Sequence, residues 1–295
     1  MPWLQLTLDA THSNSEQLSD LLSQAGAAAV TMQDAKDDPI YEPPVGSTPL
    51  WDQLFLTGLF EADIDMNGVL SFIKTQYGEI PGHSINPLED KDWTRAWMDD
   101  FKPMQFGQRV WICPSWHTPP DPAAVNIMLD PGLAFGTGTH PTTALCLNWL
   151  DENYEQPVDV IDYGCGSGIL GIAANLLGAE QVYAVDLDPQ ALIATQANAE
   201  KNHVADKIKT FSVPEFKKQY SQLQCPLLLA NILAGPLVEL SEMLASHVLP
   251  GGKIVLSGIL AEQADKISTA YQRWFHIDEI KQKEDWIRIV GTKKI

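Results

Sequence analysis

"VIDYGCGSGILGIAA", Val160 to Ala174, decides the fold. An apolar, β-rich run ends at Asp162. Gly164, Gly166 and Gly168 follow in alternation, and a helical apolar pattern begins at once. Glycine takes positive φ without strain and lets another molecule approach the backbone closely. One such residue makes a tight turn. Three in alternation, between a strand and a helix, make a turn shaped around a ligand. Downstream, β-rich runs alternate with amphipathic ones: "QVYAVD", "PQALIATQANAEKN", "KIKTFSV", "PLLLANIL", "PLVELSEMLASHVL", "KIVLSGIL" and "AEQADKISTAYQRWF". That alternation predicts a doubly wound α/β domain with a parallel sheet. The end, "HIDEIKQKEDWIRIVGTKK", holds two strands around a charged turn with no helix between them, so the last strand must run antiparallel.

Upstream the grammar changes. "WLQLTLD" alternates apolar and polar residues, as a half-buried strand does. "SNSEQLSDLLSQAG" reads as a helix with Ser13 and Glu16 as a capping box and Gly26 as its stop. "AAAVTMQ", "QLFLTGLFE" and "HSINPLE" read as strands and "MNGVLSFIKTQYG" as a second helix. The order βαββαβ predicts a ferredoxin-like α+β domain over residues 1–88. "DKDWTRAWMDDF" predicts a linker helix within 89–102. Residues 103–295 then form the glycine-turn domain, opening with the strands "RVWICPSW" and "NIMLD".

Composition narrows the function classes. The chain has 295 residues, 45% of them hydrophobic, and a net charge of −19. Nucleic-acid binding rests on Lys and Arg neutralising phosphates, so no direct nucleic-acid contact is expected. Residues 1–88 carry 12 Asp/Glu against 2 Lys/Arg and are the more acidic part for their length. The four cysteines show no Cys-x-x-Cys spacing, and no metal is expected. "MPWLQLTLD" has no basic stretch followed by an apolar run, and no run of ~18 apolar residues occurs. A cytoplasmic monomer without a membrane span is the expectation.

The ligand of the turn is the harder question. Gly166, Gly168 and Gly171 also fit the dinucleotide pattern G-x-G-x-x-G. Asp186 ends the next strand, where a carboxylate can accept two ribose hydroxyls. NAD and S-adenosyl-L-methionine both offer such a ribose. Three features separate them: Asp162 two residues before the first glycine, Asn231 after the fourth apolar strand, and the closing hairpin. Together they resemble the class I S-adenosylmethionine-dependent methyltransferases. A hydride-transfer site, which an oxidoreductase needs, is not visible, and a non-catalytic assembly factor has no need of an intact glycine turn.

In amide- and base-methylating members of that superfamily an aromatic ring follows the fourth strand and stacks on a flat acceptor. Here Asn231 is followed by Ile232 and Leu233. That run suits an aliphatic amine, whose lone pair the Asn231 carbonyl can aim by accepting a hydrogen bond. The loop "LDPGLAFGTGTHPTT" leads into a helix with Pro141 in its first turn. Thr142, Thr143 and the free N–H groups there can hold a carboxylate. His140 either orders this loop or meets the substrate.

That loop, "DYGCGSGIL", "DLDP" and "NILAGPL" together resemble one family, the methyltransferases of large-subunit ribosomal protein L-eleven, and the likeness covers essentially the whole chain. The resemblance implies methylation of the α-amine and lysine ε-amines of that protein. It implies that the N-terminal domain recognises the substrate. By the family pattern Thr143, Gly164, Asp186 and Asn231 bind S-adenosyl-L-methionine, with Gly166 beside them in the turn and Asn231 also catalytic.

Overall fold

Alternation along the first strand sets the first sheet. In β1 (Trp3–Thr11), Leu6, Leu8 and Ala10 are buried, while Asp9 and Thr11 are exposed. After α1 (Ser15–Gln24) come β2 (Ala29–Asp34), β3 (Gln53–Glu61), α2 (Met66–Tyr77) and β4 (His83–Leu88). The four strands lie in the order β2-β3-β1-β4, and every pair is antiparallel. Leu18 and Leu22 of α1 and Ile73 of α2 pack with Leu6, Leu56 and Phe60 on one face of this sheet.

The computed structural model describes residues 3–36, 40, 49–88, 101–130, 138, 140–154 and 157–295. The chain divides into two units, Met1–Trp97 and Met98–Ile295. The linker helix read from the sequence falls almost wholly on residues 89–100, outside the described ones. So does most of the loop after Asp130.

One N-terminal expectation needs correcting. Ser13 and Glu16 do not form a capping box. The N-cap of α1 is Asn14, and it makes no side-chain cap bond. The last residue of β1 takes these groups instead: Thr11 N–H donates to Asn14 Oδ1 at 2.7 Å, and the Thr11 and Ser13 hydroxyls are 2.9 Å apart.

In the second unit β5 (Met104–Phe106), β6 (Val110–Cys113) and β7 (Val125–Met128) form a small sheet. Then α3 (Pro141–Asn153) leads into β8 (Val160–Tyr163), α4 (Ile169–Leu176), β9 (Val182–Asp186), α5 (Pro189–Lys201), β10 (Ile208–Ser212) and α6 (Val213–Tyr220). They are followed by β11 (Cys225–Asn231), α7 (Ala234–Glu239), α8 (Ser241–Ser246), β12 (Val248–Leu260), α9 (Ala264–Tyr271), β13 (Phe275–Lys283) and β14 (Trp286–Lys293). The large sheet has seven strands in the order β10-β9-β8-β11-β12-β14-β13. β8 to β12 pair in parallel, and β14 is antiparallel to both its neighbours. The doubly wound sheet and its antiparallel last strand are thus as the alternation dictates.

Each face of this sheet has its own core. Val160, Ile169, Ile172 and Leu147 lie in one, and Ile161, Phe216, Leu237 and Tyr271 in the other. Strands buried on both faces must be apolar at consecutive positions, as Val160 and Ile161 are. The winding reverses between β8 and β11. From β8 the chain steps outward to β9 and β10, and from β11 it steps the other way. Ligands of open α/β sheets bind at such a switch point, outside the carboxyl ends of the strands. Gly164, Asp186 and Asn231 stand at those ends.

Candidate active site

All three glycines of the turn take positive φ: Gly164 +77°, Gly166 +55° and Gly168 +79°. The turn is held to the neighbouring strand, because the Val185 carbonyl accepts both Gly164 N–H, at 2.7 Å, and Cys165 N–H, at 3.1 Å. Space explains the residue type as well as φ. A Cβ on Gly164 would lie 2.2 Å from Ile232 Cγ2, and one on Gly168 would lie 2.8 Å from Thr195 Cγ2.

Asp186 closes the turn from β9. Its Oδ2 accepts Gly166 N–H at 2.9 Å and its Oδ1 accepts Asp188 N–H at 3.0 Å. A carboxylate has about four acceptor sites, so capacity remains on the side that faces the cavity.

Asn231 ends β11. Its Nδ2 lies 3.5 Å from Thr143 Oγ1. Its Oδ1 is buried and accepts no hydrogen bond from the described residues. At the start of α3, His140 is the N-cap: its Nδ1 accepts Thr142 N–H at 3.3 Å and lies 2.7 Å from Thr142 Oγ1. Burial lowers the His140 pKa, partly opposed by the charge of Glu284. The neutral ring, with Nδ1 accepting, carries its proton on Nε2.

These groups surround one cavity of about 510 Å³. Gly164, Gly166, Asp186 and Asn231 all line it. Thr142 and Thr143 are both fully buried; Thr142 is among the lining residues, and Thr143 meets the site through its hydroxyl, 3.5 Å from Asn231 Nδ2. Ile232, Leu233 and Trp286 give it apolar walls, with the Trp286 and His140 rings edge to face at 4.9 Å.

Residues 2–294 match the model of the family described as ribosomal protein L11 methyltransferase (PrmA). The chain belongs to the ribosomal protein L11 methyltransferase family. It is 54% identical over 297 residues to the ribosomal protein L11 methyltransferase of Pseudoalteromonas atlantica, covering all of both chains. It is 52% identical over 296 residues to that of Shewanella sp. strain ANA-3, again over all of both. The solved structure of a ribosomal protein L11 methylase from Lactobacillus delbrueckii subsp. bulgaricus is 33% identical. It superposes with a TM-score of 0.61, over 66% of this chain and all of that one. Membership sets aside the oxidoreductase reading of the glycine turn.

Two residues that line the cavity were not legible beforehand. Trp286 opens β14, far along the chain from the glycine turn. Gly258 sits where the β12–β14 register shifts between Leu256 and Ile259. A lone glycine within a strand pattern is a signal of a bulge or a close backbone approach, and "KIVLSGIL" holds one. Gly258 has φ +81°, and a Cβ there would lie 2.4 Å from the Ile232 carbonyl oxygen. That neighbour is backbone and cannot rotate away. Gly258→Ala is expected to destabilise the protein by about 2–4 kcal/mol, from positive-φ strain and overpacking. It should also displace the Asn231–Ile232 segment and cut methyl transfer at permissive temperature. Thermal unfolding and a transfer assay on the same preparation check both.

Asp162, in β8, is fully buried and accepts Gly171 N–H at 2.9 Å. Lost hydration raises its pKa to about 7; the Gly171 hydrogen bond opposes this and the Asp186 charge adds to it. An unfolded aspartic acid titrates near 3.9. Between those values the folded chain holds a proton that the unfolded chain has released, so this group's contribution to stability falls as pH rises from about 4 to 7. It stays at its minimum above that. Asp162→Asn lacks this titration, and its stability relative to wild type should rise by about 2–4 kcal/mol from pH 4 to pH 8. Urea unfolding of both proteins without cofactor, across that range, checks it. A constant difference refutes it.

Proposed function

We propose that the chain transfers methyl groups from S-adenosyl-L-methionine to the N-terminal α-amine and lysine ε-amines of ribosomal protein L11. The observation that supports this reading is Asn231, which lines the same cavity as Gly164, Gly166 and Asp186 and whose buried Oδ1 has no hydrogen-bond partner among the described residues. Buried acceptors ordinarily find a donor, and a neutral amine is a donor of the right size.

The residues present fit the cofactor. Asp186 has acceptor capacity for two ribose hydroxyls. The glycines leave room for close backbone approach. Thr142, lining the cavity at the start of α3, suits the carboxylate of the methionine moiety; Thr143 acts one step back by holding the Asn231 amide. When bound, S-adenosyl-L-methionine supplies a methyl group already activated by its sulfonium. The protein therefore has mainly to align donor and nucleophile.

Asn231 Oδ1 accepts a hydrogen bond from the amine and so directs its lone pair. The amine must arrive neutral. A lysine titrates near ~10.4 and an α-amine near ~7.7–8.0, and desolvation moves both downward. Ile232, Leu233 and Trp286 exclude water and favour the neutral form. His140 Nδ1 is engaged with Thr142, so that nitrogen is not the base. The proton leaves to water.

The chain acts as a cytoplasmic monomer and makes no direct contact with nucleic acid; its net charge of −19 supports the last of these. No helix among the described residues is long and apolar enough to cross a membrane.

Mass spectrometry of L11 after incubation with the chain and S-adenosyl-L-methionine tests the reaction. Intact mass shows whether methyl groups are added, and fragment spectra place them on the α-amine or lysines. The acidic residues 1–88 serve substrate recognition, and 103–295 serve catalysis. A fragment beginning near Asp90 is expected to bind S-adenosyl-L-methionine with near-native affinity and to methylate L11 poorly. A soluble fragment with full activity on L11 overturns that division of labour.

A further inference from the structure

We propose that Glu284, at the tip of the β13–β14 hairpin, is a specificity-determining residue whose carboxylate captures the protonated amine of the substrate at the mouth of the cavity. The proposal rests on the amine-methylating reading above. Its first support is a residue in the wrong place for its type. Lys283 pairs with Trp286, so only Glu284 and Asp285 make the turn. Two-residue hairpin turns call for positive φ, which Gly, Asn and Asp supply most easily. Glu284 has φ 54°. Among the described residues His203, at φ 59°, is the other non-glycine in this region. His203 has an ordinary cause, because it closes α5 with His203 N–H donating to the Glu200 carbonyl and Val204 N–H to that of Ala199. For Glu284 the turn explains the backbone and leaves the side chain unexplained. Backbone strain of this kind gathers at binding sites, where the surrounding structure holds it in place.

The tip is held. Gln282 Nε2 donates to the Glu284 carbonyl at 2.7 Å, and Ala261 N–H donates to the Asp285 carbonyl at 2.8 Å. The second support is position. Trp286 pairs with Leu260, the last residue of β12. The turn therefore lies beyond Leu260, past the carboxyl ends of the parallel strands, where the cavity also lies. Trp286, next after the turn, lines that cavity and packs against His140, and the charge of Glu284 reaches the His140 ring.

Glu284 is exposed, and that settles which step it serves. A carboxylate at the reacting nitrogen would hold the amine protonated and block attack. At the rim it attracts the ammonium on arrival, and the amine loses its proton as it passes inward to Asn231.

The test uses the full chain, S-adenosyl-L-methionine and purified L11. Glu284→Gln removes the charge and keeps the strain, Glu284→Asn removes both, and Glu284→Asp keeps the charge in a residue that tolerates this φ. The Gln and Asn variants should raise KM for L11 about threefold to fivefold at low ionic strength. They should leave kcat and the cofactor Kd unchanged and lose that difference as salt rises. Glu284→Asp should match wild type. Unchanged KM in both neutral variants overturns the proposal. So does a KM loss in Glu284→Gln with none in Glu284→Asn, because both variants lack the charge. No transfer to L11 by wild type overturns the reading of the reaction, and this proposal with it.

Discussion

Replacing Asn231 with alanine is expected to lower kcat about a hundredfold or more, while the cofactor Kd changes far less. The side chain does two things that alanine cannot. Asn231 lines the cavity, and its Oδ1 is a buried acceptor with no hydrogen-bond partner among the described residues. Its Nδ2 reaches Thr143 Oγ1, tying the end of β11 to the first turn of α3. An attacking amine without that acceptor is free to turn its lone pair away from the methyl group. Misplacing reacting groups by ~1 Å can cost ~10²-fold. Cofactor affinity rests mainly on other residues, so the loss should appear in the chemical step. Single-turnover transfer to L11 at saturating S-adenosyl-L-methionine isolates that step. A normal rate there rules out the role given to Asn231. Thr143→Val gives an independent check. It removes the hydroxyl behind Asn231 without touching the cavity wall, and should slow the same step more mildly.

What the sequence made legible follows from how local each signal is. Positive φ at Gly164, Gly166 and Gly168 was readable because glycine in alternation after a strand has few other uses. Asp186 and Asn231 were readable because each ends an apolar run, and such runs end at the carboxyl edge of a parallel sheet. The antiparallel β14 followed from a missing helix. α6 went unread because it buries a single residue, Phe216, and a helix with one buried position leaves no periodic stripe. Its start was nonetheless marked: Ser212 and Glu215 form a full capping box around Pro214. β5 has three residues, too few for any period to show. "PLVELSEMLASHVL" reads as one helix, yet the chain forms two, with Leu240 as the residue between them. No glycine stands there, so that break belongs to packing. Ser13 and Glu16 erred in the opposite direction, because the Ser13 hydroxyl lies against Thr11 at the end of β1 and the helix starts one residue later, from Asn14. Trp286 and Gly258 reach the cavity only through the pairing of β12 with β14, which no local pattern states. Thr142 and Thr143 were both in view, and only the helix's rotation decides which of them lines the cavity.

Replacing Asp186 with alanine is expected to raise the S-adenosyl-L-methionine Kd by at least tenfold, and by a few hundredfold if both ribose hydroxyls bind it. Hydrogen bonds to a charged acceptor contribute ~1.5–3 kcal/mol each, and each 1.4 kcal/mol is about a factor of ten in affinity. The carboxylate also shapes the turn. Gly166 N–H donates to Oδ2 and Asp188 N–H to Oδ1, so alanine leaves both donors without that partner and loosens the loop that must cradle the ligand. Asp186→Asn separates the two contributions. Its one oxygen can keep Gly166 N–H satisfied, while the charge and one acceptor are gone. Its Kd should therefore fall between wild type and alanine. Calorimetric titration of all three proteins with S-adenosyl-L-methionine measures this directly. At saturating cofactor the alanine variant should recover most of its turnover, because Asp186 is placed against the ribose and not against the reacting nitrogen. That recovery distinguishes it from Asn231→Ala, which no excess of cofactor should rescue. An alanine Kd equal to wild type would remove Asp186 from the site and leave its carboxylate only the structural work of holding Gly166.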